Sequence, residues 1–163
     1  MAADKSRWKK KTAIESTALL ALEAAWQDWA SADGIPKRTR FDPAHFPLIL
    51  PWVILGELAD KPNDTRPYDV FFRYIGTEFA HYFQAQAITR MHLSEVGPPY
   101  AERWFAVTDA VRKARAPCYF SGTPLGTGFE YISLEMLALP FAGEDGEVGF
   151  VLCAFARTEE LLL

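Results

Sequence analysis

Between Thr12 and about Ala32 the apolar residues Ile14, Ala18, Leu22, Ala25, Trp26 and Trp29 recur at the spacing of one helix face. Asp33-Gly34 followed by Pro36 supplies a stop, so an amphipathic helix is predicted over 12–33. Its stripe carries two tryptophans and must be buried somewhere. The choices are the chain's own sheet or the same helix of a second copy, and the second choice makes Ile14, Ala18, Leu22, Trp26 and Trp29 a candidate dimer interface.

Beyond Pro36 the period changes. Asp42 is placed to cap a short helix whose first position is Pro43. Trp52 to Leu58 and Tyr68 to Ile75 are aromatic and β-branched runs joined by the loop Lys61–Pro67, which predicts a hairpin. Gly76 ends the second run, and Thr77 opens a helix to about Ile88 with Phe79, Phe83 and Ala87 on one face. Met91 to Val96 reads as a helical turn. Pro98-Pro99 opens a further helix to about Arg115, with Tyr100, Trp104, Val107 and Val111 as its stripe and Arg112, Lys113 and Arg115 at its negative end. Three more strands are predicted at Cys118–Pro124, Glu130–Phe141 and Glu147–Ala156, the last two joined by a turn at Gly143-Glu-Asp-Gly146.

Strands at both ends of a helical middle predict an α+β domain, one antiparallel sheet with helices on a single face. At 163 residues the chain has the size of one domain that buries roughly 70% of its unfolded surface. Half of its residues are hydrophobic and 23% charged, which excludes a disordered chain. No apolar run approaches the roughly 20 residues a membrane span needs, so a cytoplasmic protein is expected. Cys118 and Cys153 both fall in strands and read as buried reduced thiols.

Charge adds one asymmetry. The net charge is −4, yet Lys5, Arg7, Lys9, Lys10 and Lys11 face Asp4 alone, a local +4 that leaves the remainder at −8. Residues 1–11 are expected to be a basic flexible arm in solvent. The alternative is an adaptor that touches nucleic acid or anionic lipid through that arm.

Four features together resemble the PAS domain, and within it a group of small single-domain alphaproteobacterial members. They are Ile35-Pro36-Lys-Arg38 with Phe41-Asp42-Pro43, then Leu50-Pro51, then Phe72-Arg73-Tyr-Ile-Gly76-Thr77, and finally Leu139-Pro140 with Asp145-Gly146. They span about Trp26 to Arg157. The resemblance implies a five-stranded antiparallel sheet of order 2-1-5-4-3 over 34–158, a cleft between sheet and helices, and a short tail at 159–163. One departure stands out: such relatives often carry Thr-Gly-Arg or Thr-Gly-Lys after the first long helix, whereas Thr89-Arg90-Met91 lacks the glycine, which predicts a different turn there.

His45, His81, His92 and the two cysteines have none of the paired spacings of a zinc site. Haem is disfavoured because the helix Pro99–Arg115, where related sensors place the ligand, has no histidine; His81 would be the substitute. Flavin photochemistry is disfavoured because neither cysteine lies on the helices. The cofactor is therefore left unknown. Ser121–Gly128 has the glycines of a phosphate loop but links two strands, and reads as a hairpin loop.

Arg73 and Glu135 are charges set inside apolar strands. They either line a pocket, where Arg73 would grip a carboxylate or phosphate with its planar fork, or point outward to water. His81 and Tyr82 on the hinge helix and Trp104 on the next complete the candidate ligand-binding set. The expected function is a cytoplasmic PAS sensory or adaptor protein, not an enzyme, working as a homodimer with a small molecule and/or an unidentified signalling protein. The alternative from another class is a small α+β enzyme using His81 or His92 with a carboxylate as acid and base.

Overall fold

The hairpins predicted at the two ends of the chain merge into one antiparallel sheet. The computed structural model describes residues 7–30, 34–83, 88–98, 100–125 and 127–158, so expectations for residues 1–6, the end of the hinge helix at 84–87, and the tail lie outside the described residues. The strands are β1 (Lys9–Lys11), β2 (Val53–Ala59), β3 (Asp69–Ile75), β4 (Cys118–Gly122), β5 (Leu134–Ala142) and β6 (Val148–Arg157). The helices are α1 (Thr17–Trp29), α2 (Thr77–Phe83) and α3 (Tyr100–Ala114).

The sheet order is β1-β4-β5-β6-β2-β3, with every neighbouring pair antiparallel. For the five predicted strands this is the expected order. The sixth comes from the basic arm, whose Lys9, Lys10 and Lys11 pair with Ser121, Phe120 and Tyr119 at the β4 edge. The arm from residue 8 on is thus a docked edge strand and not a solvated tail. β5 starts at Leu134, four residues after the predicted start at Glu130.

The later helices share one face of the sheet, and the N-terminal helix takes the chain's own sheet from the two partners open to it. α2 and α3 pack Phe79, Trp104, Val107 and Val111 on Val70, Phe72, Met136, Val151, Cys153 and Phe155. α1 packs on the other face, with Leu19, Leu22 and Trp26 over Val53, Leu137, Leu139, Phe141, Leu152 and Ala154. Adjacent residues such as Leu152 and Cys153 belong to opposite clusters, as the two-residue strand period requires. Helices therefore cover both faces, and every residue from Leu134 to Phe141 is buried.

Two local devices fix the hinge between β3 and α2. A Cβ on Gly76 would fall onto the backbone carbonyls of Leu50 and Pro51, so only glycine lets the chain pass there. Leu55 pairs with Tyr74 and Gly56 with Phe72, which leaves Arg73 as the extra residue of a β-bulge and turns it, with Tyr74, toward the α1 side.

Candidate functional site

The cleft between the sheet and α2/α3 is filled by rings. Phe79 and Phe83 stack with centroids 4.3 Å apart, and Trp104 and Phe155 stand 5.6 and 5.0 Å from Phe79. The fifth ring is Trp8, from the residue before β1. It lies 5.6 Å from Trp104, 5.7 Å from Phe155 and 6.0 Å from Phe83, and is 8% exposed. Gly122 makes room for it, since a Cβ there would meet Trp8 Cε3 at 2.5 Å. The space left beside Trp104 and Thr108 is a cavity of ≈ 20 Å³, about one water.

One charge lies in this apolar cleft. Arg103 of α3 is 3% exposed, donates from one terminal nitrogen to the Thr123 carbonyl at 2.6 Å, and holds its guanidinium carbon 4.2 Å from the Trp8 ring centre. Burial pulls its pKa down to about 10, so it remains a cation at neutral pH. Its Nε and the Trp8 indole N–H are buried without acceptors among the described residues.

A second concavity, ≈ 460 Å³, opens on the other face beside α1, lined by Arg38, Phe41, Leu55, Arg73, Tyr74 and Phe150. Arg38 lies over Phe150 at 5.4 Å, and Tyr74 donates to the Leu50 carbonyl at 3.2 Å.

The five candidate ligand residues are dispersed over these regions. Trp104 faces the aromatic cleft. His81 is exposed on α2, with its ring 5.0 Å from Tyr82 and 5.2 Å from Phe129. Tyr82 is half-buried and stacks on Trp52 at 5.3 Å. Arg73 lines the opposite groove, half exposed, and pairs with Glu57. Glu135 is buried under the start of α1, where its carboxylate accepts the backbone N–H groups of Glu15, at 3.0 and 3.1 Å, and of Ser16. Glu135 is thus a helix-terminus acceptor, and three strand positions separate its strand from that of Arg73.

Of the helix stripe, Ile14, Leu22 and Trp26 are buried against the chain's own sheet, Trp29 is half-buried beside Phe46 and Phe141, and Ala18 is exposed. His92 contacts Glu95 at 3.2 Å on a surface turn, and the backbone N–H of His92, followed by its ring, holds the Glu95 carboxyl below its usual range. Among the described residues no group of three His, Cys, Asp or Glu side chains is arranged to hold a metal, and no helix is long and apolar enough to cross a membrane.

Sequence reasoning missed Trp8 and Arg103. The signal was a single large aromatic inside the run Arg7-Trp8-Lys9, and an arginine set beside Trp104, Phe105 and Val107 at an apolar turn of the helix.

A family model described as PAS domain matches residues 14–156, nearly the whole chain. The chain belongs to the PAS domain family. A comparison with curated proteins finds no match. Among solved structures, the chain is similar to the crystal structure of a sensory box sensor histidine kinase from Vibrio cholerae, with 15% identity, 66% of this chain and 83% of that chain covered, and a TM-score of 0.47. Family membership places this PAS domain among sensory signalling modules. β1, with Trp8 ahead of it, lies outside the matched span.

Proposed function

We propose that this PAS domain is a non-catalytic sensory or adaptor module of the cytoplasm, in which occupancy of the cleft between α2/α3 and the sheet is the sensed event. The observation that carries the reading is the aromatic cleft around Trp104, which holds a buried cation and no complementary carboxylate among the described residues. Ligand sites combine apolar walls with a few placed polar groups in this way. Movement of α2 and α3 reaches the opposite face through β5 and β6, whose alternate residues pack on α3 and on α1. The output then passes to a signalling protein or to a second copy. A homodimer would meet α1 on its outward side, where Ala18 and Leu20 are exposed, because the rest of the stripe is spent on the sheet.

Native mass spectrometry of the freshly purified full chain, with an absorption spectrum of the same sample, tests both parts. Extra small-molecule mass or ligand-dependent dimerisation is the expected result. A colourless monomer whose melting temperature is unmoved by a library of small organic acids, amines and neutral aromatics would refute the sensory reading of the cleft.

A further inference from the structure

We propose that Trp8 is an internal plug in the PAS cleft, and that the cleft's ligand is a small planar aromatic carboxylate that displaces it and pairs with Arg103. The inference rests on the cleft-sensing reading above. Trp8 enters from outside the domain proper: its residue precedes a three-residue strand that pairs with β4 alone and whose three side chains are all exposed. Such a short edge strand belongs to the least stable end of a fold. The ring it delivers occupies a slot walled by Phe83, Trp104 and Phe155 and floored by Gly122.

The chemistry of the occupant follows from what Trp8 leaves undone. It gives Arg103 only its ring face, so the guanidinium forms no ion pair among the described residues and its Nε finds no acceptor. A buried cation without a counter-ion is costly, and a carboxylate offers the bidentate acceptor that fits the guanidinium fork. An aryl carboxylate of indole size replaces the ring contacts and adds the missing charge. Binding and arm docking then exclude each other, so ligand arrival releases Trp8 and the lysines of β1 as the output. The plug also lowers the apparent affinity of the intact chain, because only the undocked fraction binds.

The test is calorimetric titration of the full chain with 2-naphthoate and with its uncharged isostere 2-naphthamide. Trp8→Ala is expected to bind naphthoate at least tenfold more tightly than the wild type does, and at least tenfold more tightly than it binds the amide. Gly122→Ala puts a methyl against both the indole and an Arg103 terminal nitrogen, so it should loosen the arm and speed tryptic cleavage at Lys9–Lys11 without ligand, while binding naphthoate more weakly than Trp8→Ala does. Adding Arg103→Met to Trp8→Ala should erase the preference for the acid. In the wild type, saturating naphthoate should speed tryptic cleavage at Lys9–Lys11 about tenfold. Equal binding of acid and amide by Trp8→Ala sinks the anion assignment while leaving a cleft sensor in place. Equal naphthoate affinity in wild type and Trp8→Ala, with β1 still protected, sinks the plug. Folded Trp8→Ala that binds neither probe removes the cleft reading as well. Failure of Trp8→Ala to fold even with naphthoate makes Trp8 permanent core and overturns the proposal.

Discussion

The indole N–H of Trp26 donates to the carbonyl of Pro140 across 2.9 Å, a buried bond that ties α1 to the C-terminal part of β5. It holds the N-terminal helix in one rotational setting over the sheet, because the bond fixes the ring that the stripe brings to the surface of β5. Any signal that passes from the cleft through β5 to α1 passes beneath this contact.

Trp26→Phe keeps most of the buried ring and removes the donor, leaving the Pro140 carbonyl without it. The expected loss is about 1–3 kcal/mol, the cost of a buried polar group stripped of its partner. A urea titration followed by circular dichroism measures it, with the denaturant midpoint lowered and the slope unchanged. Hydrogen exchange should rise most along α1. Loss of protection in α3 instead of α1 would show that Trp26 does not anchor the helix locally.

Asp69 supplies the pH dependence. Burial raises its pKa, but hydrogen bonds outweigh burial and hold the carboxyl below its ordinary range: the Ser94 hydroxyl and N–H donate to it at 2.5 and 3.0 Å, and the Val70 N–H at 2.9 Å. A carboxylate whose folded pKa is depressed contributes stability at pH values above its unfolded pKa, and that contribution fades as pH falls through the folded value. The wild type should therefore lose stability below about pH 4 more steeply than Asp69→Asn, whose stability at pH 7 is already lower by about 1–3 kcal/mol. Parallel acid profiles for the two proteins would discard Asp69 as the titrating group.

Much of this fold is legible in the sequence because local rules and the sheet agree. Gly76 ends β3 where no Cβ fits against Leu50 and Pro51, and Asp42 with Pro43 forms the capped turn that their types demand, with the carboxylate accepting from the Ala44 N–H at 3.0 Å. The covered second face of the sheet was also written there: Leu134 to Phe141 is apolar at nearly every position, the mark of a strand buried on both sides, with Glu135 as its one charge. Other features are not local. Glu135 meets the α1 terminus 120 residues away, so nothing near it in sequence signals a capping role. The helix stripe satisfies its own sheet and a second copy equally well as a pattern. Trp8 stayed hidden because three consecutive lysines carry no strand period, and their charge makes an edge strand read as a tail.

Arg90 stands where the family resemblance leads one to expect glycine, and the structure gives it a φ of 66°. The backbone therefore turns in the left-handed way a glycine would allow, with an arginine in its place. The turn is held by the Arg90 N–H donating to the Phe72 carbonyl at 2.9 Å and the Phe72 N–H donating to that of Met91 at 3.0 Å. A non-glycine residue in that region costs roughly 1–2 kcal/mol, part of which glycine returns as lost chain entropy. Arg90→Gly should raise stability by about 0.5–1 kcal/mol, read as a higher urea midpoint. A lower midpoint would mean that the arginine side chain contributes more than its backbone strain removes.

The two thiols give the last test. Cys118 and Cys153 both pair with Ala138, on its two sides, so two strand spacings separate them, about 9.5 Å between Cα atoms. That exceeds the roughly 7 Å limit for a disulfide. Burial raises the pKa of Cys118, and complete burial pushes Cys153 up to about 12, so neither forms the reactive thiolate near neutral pH. The native protein at pH 8 should react with Ellman's reagent at least a hundredfold more slowly than the chain in guanidinium, where both thiols react. Cys118 lies on β4 in the core cluster of the aromatic cleft, next to Tyr119, where the pairing with the edge strand β1 ends. If the arm opens on binding, its modification rate should rise with 2-naphthoate while that of Cys153 stays fixed. Equal acceleration of both thiols would point to opening of the whole sheet and away from a local release of β1.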